Sequence, residues 1–390
     1  MALQQNTDHI QTTHIGSLPR PHALLDLLKA KYTGQPYQES ELDTVLRRSV
    51  AECVSKQVAS GIEIVTDGEY SKPGFFTYIR ERFDGFESRP NQKLALFQKE
   101  VSAFPEYYAE YFKQAMMGGA ILPIVPVICT APVKYKGLNK VQVDIANLKA
   151  AAKAAGVPDQ RLFLPATAPS GVGLNEYYKT EEDYFHALAA ELNKEYRAIV
   201  DAGLLIQVDD PFLPDIFVEP GLDDAQKKKR AEIYVEATNA ALKGISAERV
   251  RFHTCYGINE GPRIYESSLP EVITYVLKVN AGSFSFEAAN PRHEHEYHLF
   301  EHVKLPEGKV LCPGVITHAS NIVEHPQWIA ERLIRFANLV GRENVMAGAD
   351  CGFSSQALYH TEVHDTVVWE KFKAMREGAD IATRRLWPRR

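Results

Sequence analysis

The chain of 390 residues has few cysteines, few tryptophans and no long apolar run, and each shortage removes a class of explanation. Its five cysteines, Cys53, Cys129, Cys255, Cys312 and Cys351, are odd in number and widely spaced. In a chain this long they do not outline a disulfide framework; they read as reduced thiols, some of them available as metal ligands. The apolar run Ile121–Thr130 is interrupted by Pro123 and Pro126, far from the roughly 20 continuous apolar residues that cross a bilayer. Positive charge is not in excess either. Lys and Arg number 44 against 50 Asp and Glu, a net charge of −6, which leaves no electrostatic footprint for nucleic acid or an anionic membrane. The opening MALQQNTDHIQTTH lacks a basic segment followed by an apolar stretch, so a cytoplasmic location is expected. Low-complexity tracts, heptads, short repeats and long Gly/Ser linkers are missing as well, which favours a single domain over residues 1–390.

What the chain does have is alternation. Short β-branched or apolar runs, each with a polar end, are separated by helical stretches. The runs are Thr12–Ser17, Ile62–Glu69, Arg161–Thr167, Leu204–Asp209, Val250–Tyr256, Ser283–Ala288, Val310–Thr317 and Asn344–Asp350. Between them, Glu181–Ala202 carries Phe185, Leu188, Leu192, Tyr196 and Ile199 at three-to-four spacing, and Trp328–Leu339 repeats the pattern before a plausible stop at Gly341. Eight strands alternating with helices predict an α/β fold of the (β/α)₈ TIM-barrel type, with an open doubly wound sheet as the alternative. A further candidate strand, Ile121–Val133, contains Pro123, Pro126 and Pro132. Prolines keep it out of a central strand, so it is assigned to an excursion between the second and third strands.

The C-terminal strand ends of such a barrel carry its chemistry. Here those ends are ionisable or metal-binding: His14 and Ser17; Asp67 and Glu69; Thr167; Asp209 and Asp210; His253 and Cys255; Glu287; His318; Asp350 and Cys351. On a strand, residues two apart share a face, so His253 and Cys255 can reach one ion. With Cys351 and Glu287 from neighbouring strand ends they complete a four-donor set suited to zinc. Zinc keeps a bound thiol deprotonated at neutral pH, and a thiolate attacks electrophilic carbon. A zinc-hydroxide hydrolase is the competing metal chemistry.

Other groups have plainer readings. The run His293, His295, His298 and His302, alternating with Glu, reads as a solvated helix face. Cys53 reads as a buried helix thiol, Cys312 as a strand-interior residue and Cys129 as part of the excursion. Trp328 and Trp369 fit helix core positions, and Lys227–Arg230 a solvated turn. Asp209 and Asp210 could cap a helix, although two acids at one mouth favour a cation site.

With these residues in view, the chain resembles the cobalamin-independent methionine synthase family, and within it the catalytic C-terminal barrel, over nearly its full length from TTHIGSLPR to GADCG. RFHTCYG resembles the family's H-x-C motif, FEAANPR its Glu-bearing strand and GADCGF its D-C-G motif. The resemblance implies zinc held by His253, Cys255, Glu287 and Cys351, with His318 as the proton donor, possible pairing of His318 with Asp350, and homocysteine as the thiol. It also implies a homocysteine pocket in which Ile15, Gly16 and Ser17 hold the carboxylate, and Glu69 and Asp209 the amino group. The methyl donor would be a methylated folate or another donor. The folate-stacking tryptophan of the family has no counterpart in PATAPSGVGLNEYY, nor has the pterin-side arginine in VICTAPVKYKG. The family's full-length members also carry a second, N-terminal barrel for which this chain has no room. Single-barrel relatives include core methionine synthases and epoxyalkane:coenzyme M transferases, so alkyl transfer to another thiol is a second reading and a non-catalytic zinc protein a third.

Overall fold

The computed structural model describes residues 6–92, 97–114, 120–122, 124–257 and 260–388. Nine strands are named among them: β1 (Phe83–Ser88), β2 (Val127–Tyr135), β3 (Phe163–Thr167), β4 (Leu174–Asn175), β5 (Leu205–Asp209), β6 (Val250–His253), β7 (Ser283–Phe286), β8 (Val310–Ile316) and β9 (Gly348–Ala349). Six of them form one parallel sheet in the order β3-β5-β6-β7-β8-β9. Two short stretches close it into a barrel. Thr12 bridges Ala347, Thr13 bridges Ile64, and Val65 bridges Leu162, all parallel. The Thr13 amide donates to the Ala347 carbonyl at 2.9 Å and the Val65 amide to the Arg161 carbonyl at 2.9 Å. The predicted first and second strands are therefore present as short staves, and the sheet has no free edge. Closure rules out the open-sheet alternative.

The sequence runs outline this barrel because every residue of β3, β5, β6, β7, β8 and β9 is buried. Strands covered on both faces read as continuous apolar runs rather than alternating ones. Outside the sheet, helix Glu181–Asp201 starts where the Thr180 hydroxyl accepts from the Asp183 amide, and it buries Phe185, Leu188, Leu192, Tyr196 and Ile199. Each of these contributes about 1.5–3 kcal/mol through the apolar area it removes from water. Helix Pro326–Val340 buries Ile329, Leu333 and Phe336 and stops at Gly341, which has φ 94°. The main core runs from Ile10 to Ala382 as one cluster. No helix among the described residues is long and apolar enough to cross a membrane.

The excursion is where expected, but it is not strandless. β1, β2 and β4 make a separate three-stranded sheet, with β1 antiparallel and β4 parallel to β2. β2 contains Pro132 because the register breaks opposite it, between Asp84 and Phe86. Gly85 supplies that break at φ 96°, where a Cβ would lie 2.6 Å from the Pro132 carbonyl oxygen. A bulge lets a strand accept a residue with no amide hydrogen. Two helices of the excursion, Gln98–Ala103 and Pro105–Gln114, complete it. Tyr108 and Tyr111 of the second pack with Cys255 and Cys351 over the barrel mouth.

His14 is a correction. Pairing of the first stave stops at Thr13, and the His14 ring turns away from the mouth to meet Gln57 Oε1 at 2.8 Å through Nε2. It packs against Phe163 and Phe372, and burial brings its pKa down to about 3. It is a neutral core histidine.

Candidate metal centre and amino-acid pocket

β6 ends on His253, and Cys255 follows two residues later on the same side. Asp350 and Cys351 directly follow β9. The ligand atoms of His253, Cys255 and Cys351 all lie within 4.8 Å of one another, and all three residues are buried. The two sulfurs are 3.3 Å apart. That is well beyond a disulfide bond of about 2.05 Å, and compatible with two sulfurs sharing a cation at about 2.3 Å each. Both ring nitrogens of His253 are buried without a hydrogen-bond partner. Burial, helped by the Arg251 and His318 charges, lowers its pKa to about 3, so the ring is neutral and has a lone pair to give. The Cys255 thiol is pushed well up by its hydrogen bond with Cys351, by burial and by the Cys351 and Glu287 charges. Two thiolates side by side in a buried site need a cation between them. One imidazole and two sulfurs fit a soft divalent metal.

Glu287, the expected fourth donor, falls in a second group with His318 and Asp350. Its Oε1 accepts from the Tyr256 amide at 3.0 Å. Its Oε2 accepts from Arg263 Nη2 at 2.8 Å and from Asn290 Nδ2 at 2.7 Å. Asp350 lies within 4.8 Å of His318 but its hydrogen bonds go elsewhere: Oδ1 accepts from the amides of Ala288 and Ala289 at 2.8 and 2.7 Å. Asp350 thus pins the turn that carries Glu287. The His318 nitrogens are buried and without hydrogen-bond partners. Burial and the Arg263 charge lower its pKa to about 4 against the opposing pull of Asp350.

Ile15, Ser17, Glu69 and Asp209 line the same cavity of about 440 Å³ as His253, Cys255 and Cys351. Gly16 sits between the first two with φ 137°, and a Cβ there would come 2.5 Å from Pro165 Cγ and 3.1 Å from Glu69 Oε1. Only a glycine lets this backbone pass so close to the carboxylate. Glu69 itself has φ 59°, a left-handed conformation fixed by its amide donating to Asp67 Oδ1 at 2.9 Å. Its Oε2 is buried without a hydrogen-bond partner. Lys72 Nζ stands 3.6 Å from that oxygen and donates instead to the Pro165 carbonyl at 2.7 Å, so it neutralises the acid only in part. Asp209 is pushed well up by burial and then by the Glu69 charge, with Lys72 and a hydrogen bond from Gln207 opposing. A cation placed between two buried, mutually repelling acids would relieve their repulsion. The capping alternative applies to Asp210, whose Oδ1 accepts from the Leu213 amide at 3.0 Å and from the Ser170 hydroxyl at 2.7 Å.

The outer part of the cavity is aromatic, with Phe75, Phe76, Phe97, Phe212 and Tyr265 among its walls. One acid interrupts it: burial, reinforced by the Glu266 charge, raises Asp215 to about 7. Sequence reasoning did not single out this acid, nor the charges behind Glu287. It also misassigned His293, which is buried rather than solvated. His293 is held between Glu266 at 3.1 Å and Glu296 at 2.9 Å and stacks on Tyr256 with ring centroids 3.9 Å apart. Burial acts against its charged form, yet the hydrogen bonds to those two carboxylates raise it to about 9. His295, His298 and His302 are exposed, as the solvated reading requires. Cys53, Cys129 and Cys312 are buried and outside the metal-ligating groups found among the described residues.

The family model for the cobalamin-independent synthase catalytic domain matches residues 174–378, more than half of the chain. The chain belongs to this family. That makes it a methyltransferase of the cobalamin-independent class, and the buried His, Cys and carboxylate groups are in keeping with the metal dependence of such enzymes. It is similar to the methionine synthase of Sulfolobus acidocaldarius, 27% identical over 88% of this chain and 85% of that protein. The methionine synthase of Saccharolobus islandicus is 25% identical over 97% of this chain and 96% of its own length. Among solved structures, the B12-independent methionine synthase from Shewanella sp. W3-18-1 in complex with selenomethionine superposes with a TM-score of 0.70. It is 21% identical and covers 97% of this chain and 99% of that one, a likeness of fold.

Proposed function

We propose that this chain, as a single domain, transfers a methyl group to the sulfur of homocysteine to form methionine, at a zinc ion held by His253, Cys255 and Cys351, with Glu287 beside them. The observation that carries this reading is the sharing of one cavity by two complementary receptors. A soft donor cluster takes the thiol end of an amino acid, and the acid pair takes its ammonium end.

Bound zinc supplies the positive charge that keeps the substrate sulfur a thiolate at neutral pH. The remaining work belongs to the chain. Glu69 and Asp209 hold the ammonium group, whose charge relieves the repulsion between them. The backbone at Ile15–Gly16–Ser17 and the Ser17 hydroxyl hold the carboxylate. The thiol releases its proton to solvent as the sulfur binds, and His318, without a hydrogen-bond partner at rest, serves the donor side. As the sulfur bonds to the methyl carbon, the bond from that carbon to the donor breaks and its electron pair leaves with the donor; His318 delivers a proton to that leaving atom and is reprotonated from solvent. Asp350 keeps the Glu287 turn in place. A flat donor such as a methylated folate would lie along Phe75, Phe76 and Phe212, with the Asp215 carboxyl as its polar contact.

The test is zinc content together with calorimetric binding of homocysteine and of a thiol lacking the amino-acid end. One zinc per chain and selective binding of homocysteine with proton release are expected. Equal binding of both thiols would move the reaction to another acceptor.

A further inference from the structure

The two ends of the cavity are built on separate segments of chain. Ser17 and Glu69 follow the first two staves, and Cys351, Gly352 and Ser355 follow β9; all five line the cavity of about 440 Å³. A ligand held at both ends reads the distance between these segments. Whatever fixes that distance therefore fixes the length of ligand that fits.

One buried side chain joins the segments from outside the cavity lining. Arg20, 4% exposed, donates from Nη1 to the Ser354 carbonyl at 3.0 Å and to the Ser354 hydroxyl at 3.1 Å. From Nη2 it donates to the Glu69 carbonyl at 2.8 Å and to the Lys72 carbonyl at 2.9 Å. Glu69 is thus gripped at both backbone polar groups, the amide by Asp67 Oδ1 at 2.9 Å and the carbonyl by Arg20. Its left-handed φ of 59° persists only where the surroundings impose it. Backbone contacts run alongside: the Leu18 amide donates to the Gly68 carbonyl at 3.1 Å and the Phe353 amide to the Ser17 carbonyl at 3.0 Å. The segments also meet at Gly352, where a Cβ would lie 2.0 Å from the Ser17 hydroxyl oxygen.

All four acceptors of Arg20 are neutral oxygens. A buried guanidinium hydrogen-bonded to uncharged groups is costly and a poor source of stability. What it supplies is shape, a planar fork whose two ends hold two loops at a fixed separation, which a lysine with its single nitrogen does not reproduce.

We propose that Arg20 is a positioning residue that sets the spacing between the Glu69 turn and the loop after Cys351, and thereby selects a thiol amino acid of homocysteine's length over cysteine, which is one methylene shorter. The inference rests on the amino-acid pocket and metal site proposed above. With the clamp in place, cysteine reaches the metal or the acid pair but not both. Without it, turn and loop can close by the length of one methylene.

The experiment is calorimetric titration of the zinc-loaded protein with homocysteine, with cysteine and with mercaptoethanol, which has no amino-acid end. The parent should prefer homocysteine to cysteine by about 10- to 200-fold, the worth of one methylene in a fitted site. Arg20→Met, which keeps the side chain's length without a buried charge, should bring that ratio to within about threefold of unity. Zinc content and mercaptoethanol affinity should stay as in the parent. Arg20→Lys keeps the charge but not the fork and should lose the discrimination in the same way; it decides the matter if Arg20→Met does not fold. Parental discrimination in either folded variant would overturn the proposal, as would an equal loss of affinity for all three thiols, the mark of a merely structural role. So would a parent that binds cysteine and homocysteine alike, both better than mercaptoethanol. A parent that binds no zinc, or prefers neither amino acid to mercaptoethanol, would instead refute the reading of the site on which the proposal rests.

Discussion

Single side chains divide here by what leaves them unsatisfied. His253 and Glu69 bury polar atoms without a hydrogen-bond partner, while the Cys255 thiol and the Asp209 carboxyl are pushed well up. Cys255→Ser or Cys351→Ser should therefore lose metal and activity together, checked by metal analysis and turnover. Glu69→Gln should keep its metal and weaken homocysteine binding by about 10- to 100-fold, the worth of one charge-assisted contact of about 1.5–3 kcal/mol. Unchanged affinity in that variant would remove Glu69 from the pocket. His293 offers a pH test. Its folded-state pKa is raised from 6.5 to about 9, so the charged ring stabilises the fold fully below pH 6.5 and the contribution fades as pH rises through about 9. Thermal unfolding of His293→Gln should show a deficit of about 1–3 kcal/mol at acidic to neutral pH that shrinks in alkali. A deficit that grows with pH would contradict the assignment. The zinc-type donors were legible in the sequence because each ends an apolar run, where a polar residue has no role in the core. His293 and Arg263 were not: a Glu/His alternation looks the same whether it faces water or folds back over a loop, and only the contact with Glu266 distinguishes the two.

Elements set the angles at which those side chains meet. β6 and β9 lead into the residues proposed as metal donors, and the turn after β7 is placed by Asp350. Gly314 in β8 makes room for that acid, since a Cβ there would lie 2.8 Å from Asp350 Cα. Gly314→Ala should cost about 1–3 kcal/mol through overpacking and lower kcat by displacing the Glu287 turn, as measured by denaturant unfolding and steady-state rates. Normal turnover in the folded variant would mean that Asp350 is dispensable for positioning. Helix periodicity was read correctly from spacing alone, because the Glu181–Asp201 stripe buries the residues that the three-to-four pattern selects. β2 was missed as a strand because a proline rule assumes regular pairing, and the register break at Gly85 removes that assumption. The first two staves were overestimated in length for a related reason. The runs were carried on to Ser17 and Glu69, but past Thr13 and Val65 the chain leaves the sheet and supplies residues of the pocket.

For the whole molecule, barrel closure gathers polar residues up to 338 positions apart, such as Ser17 and Ser355, into one buried mouth. The excursion then adds aromatic walls and lays Tyr108 and Tyr111 across the two cysteines. The barrel was legible because its strands announce themselves one by one. The mouth's outer wall was not, since it is made by segments far apart in sequence with no shared pattern. The central claim is that a thiol-activating metal centre and an amino-acid receptor face each other in this mouth. Its most direct test is zinc analysis of the purified chain combined with calorimetric titration of homocysteine against a thiol without the amino-acid end. The account predicts one zinc per chain and homocysteine binding that is selective, releases a proton and is weakened by Glu69→Gln. A protein that binds no zinc, or binds both thiols alike, would contradict it.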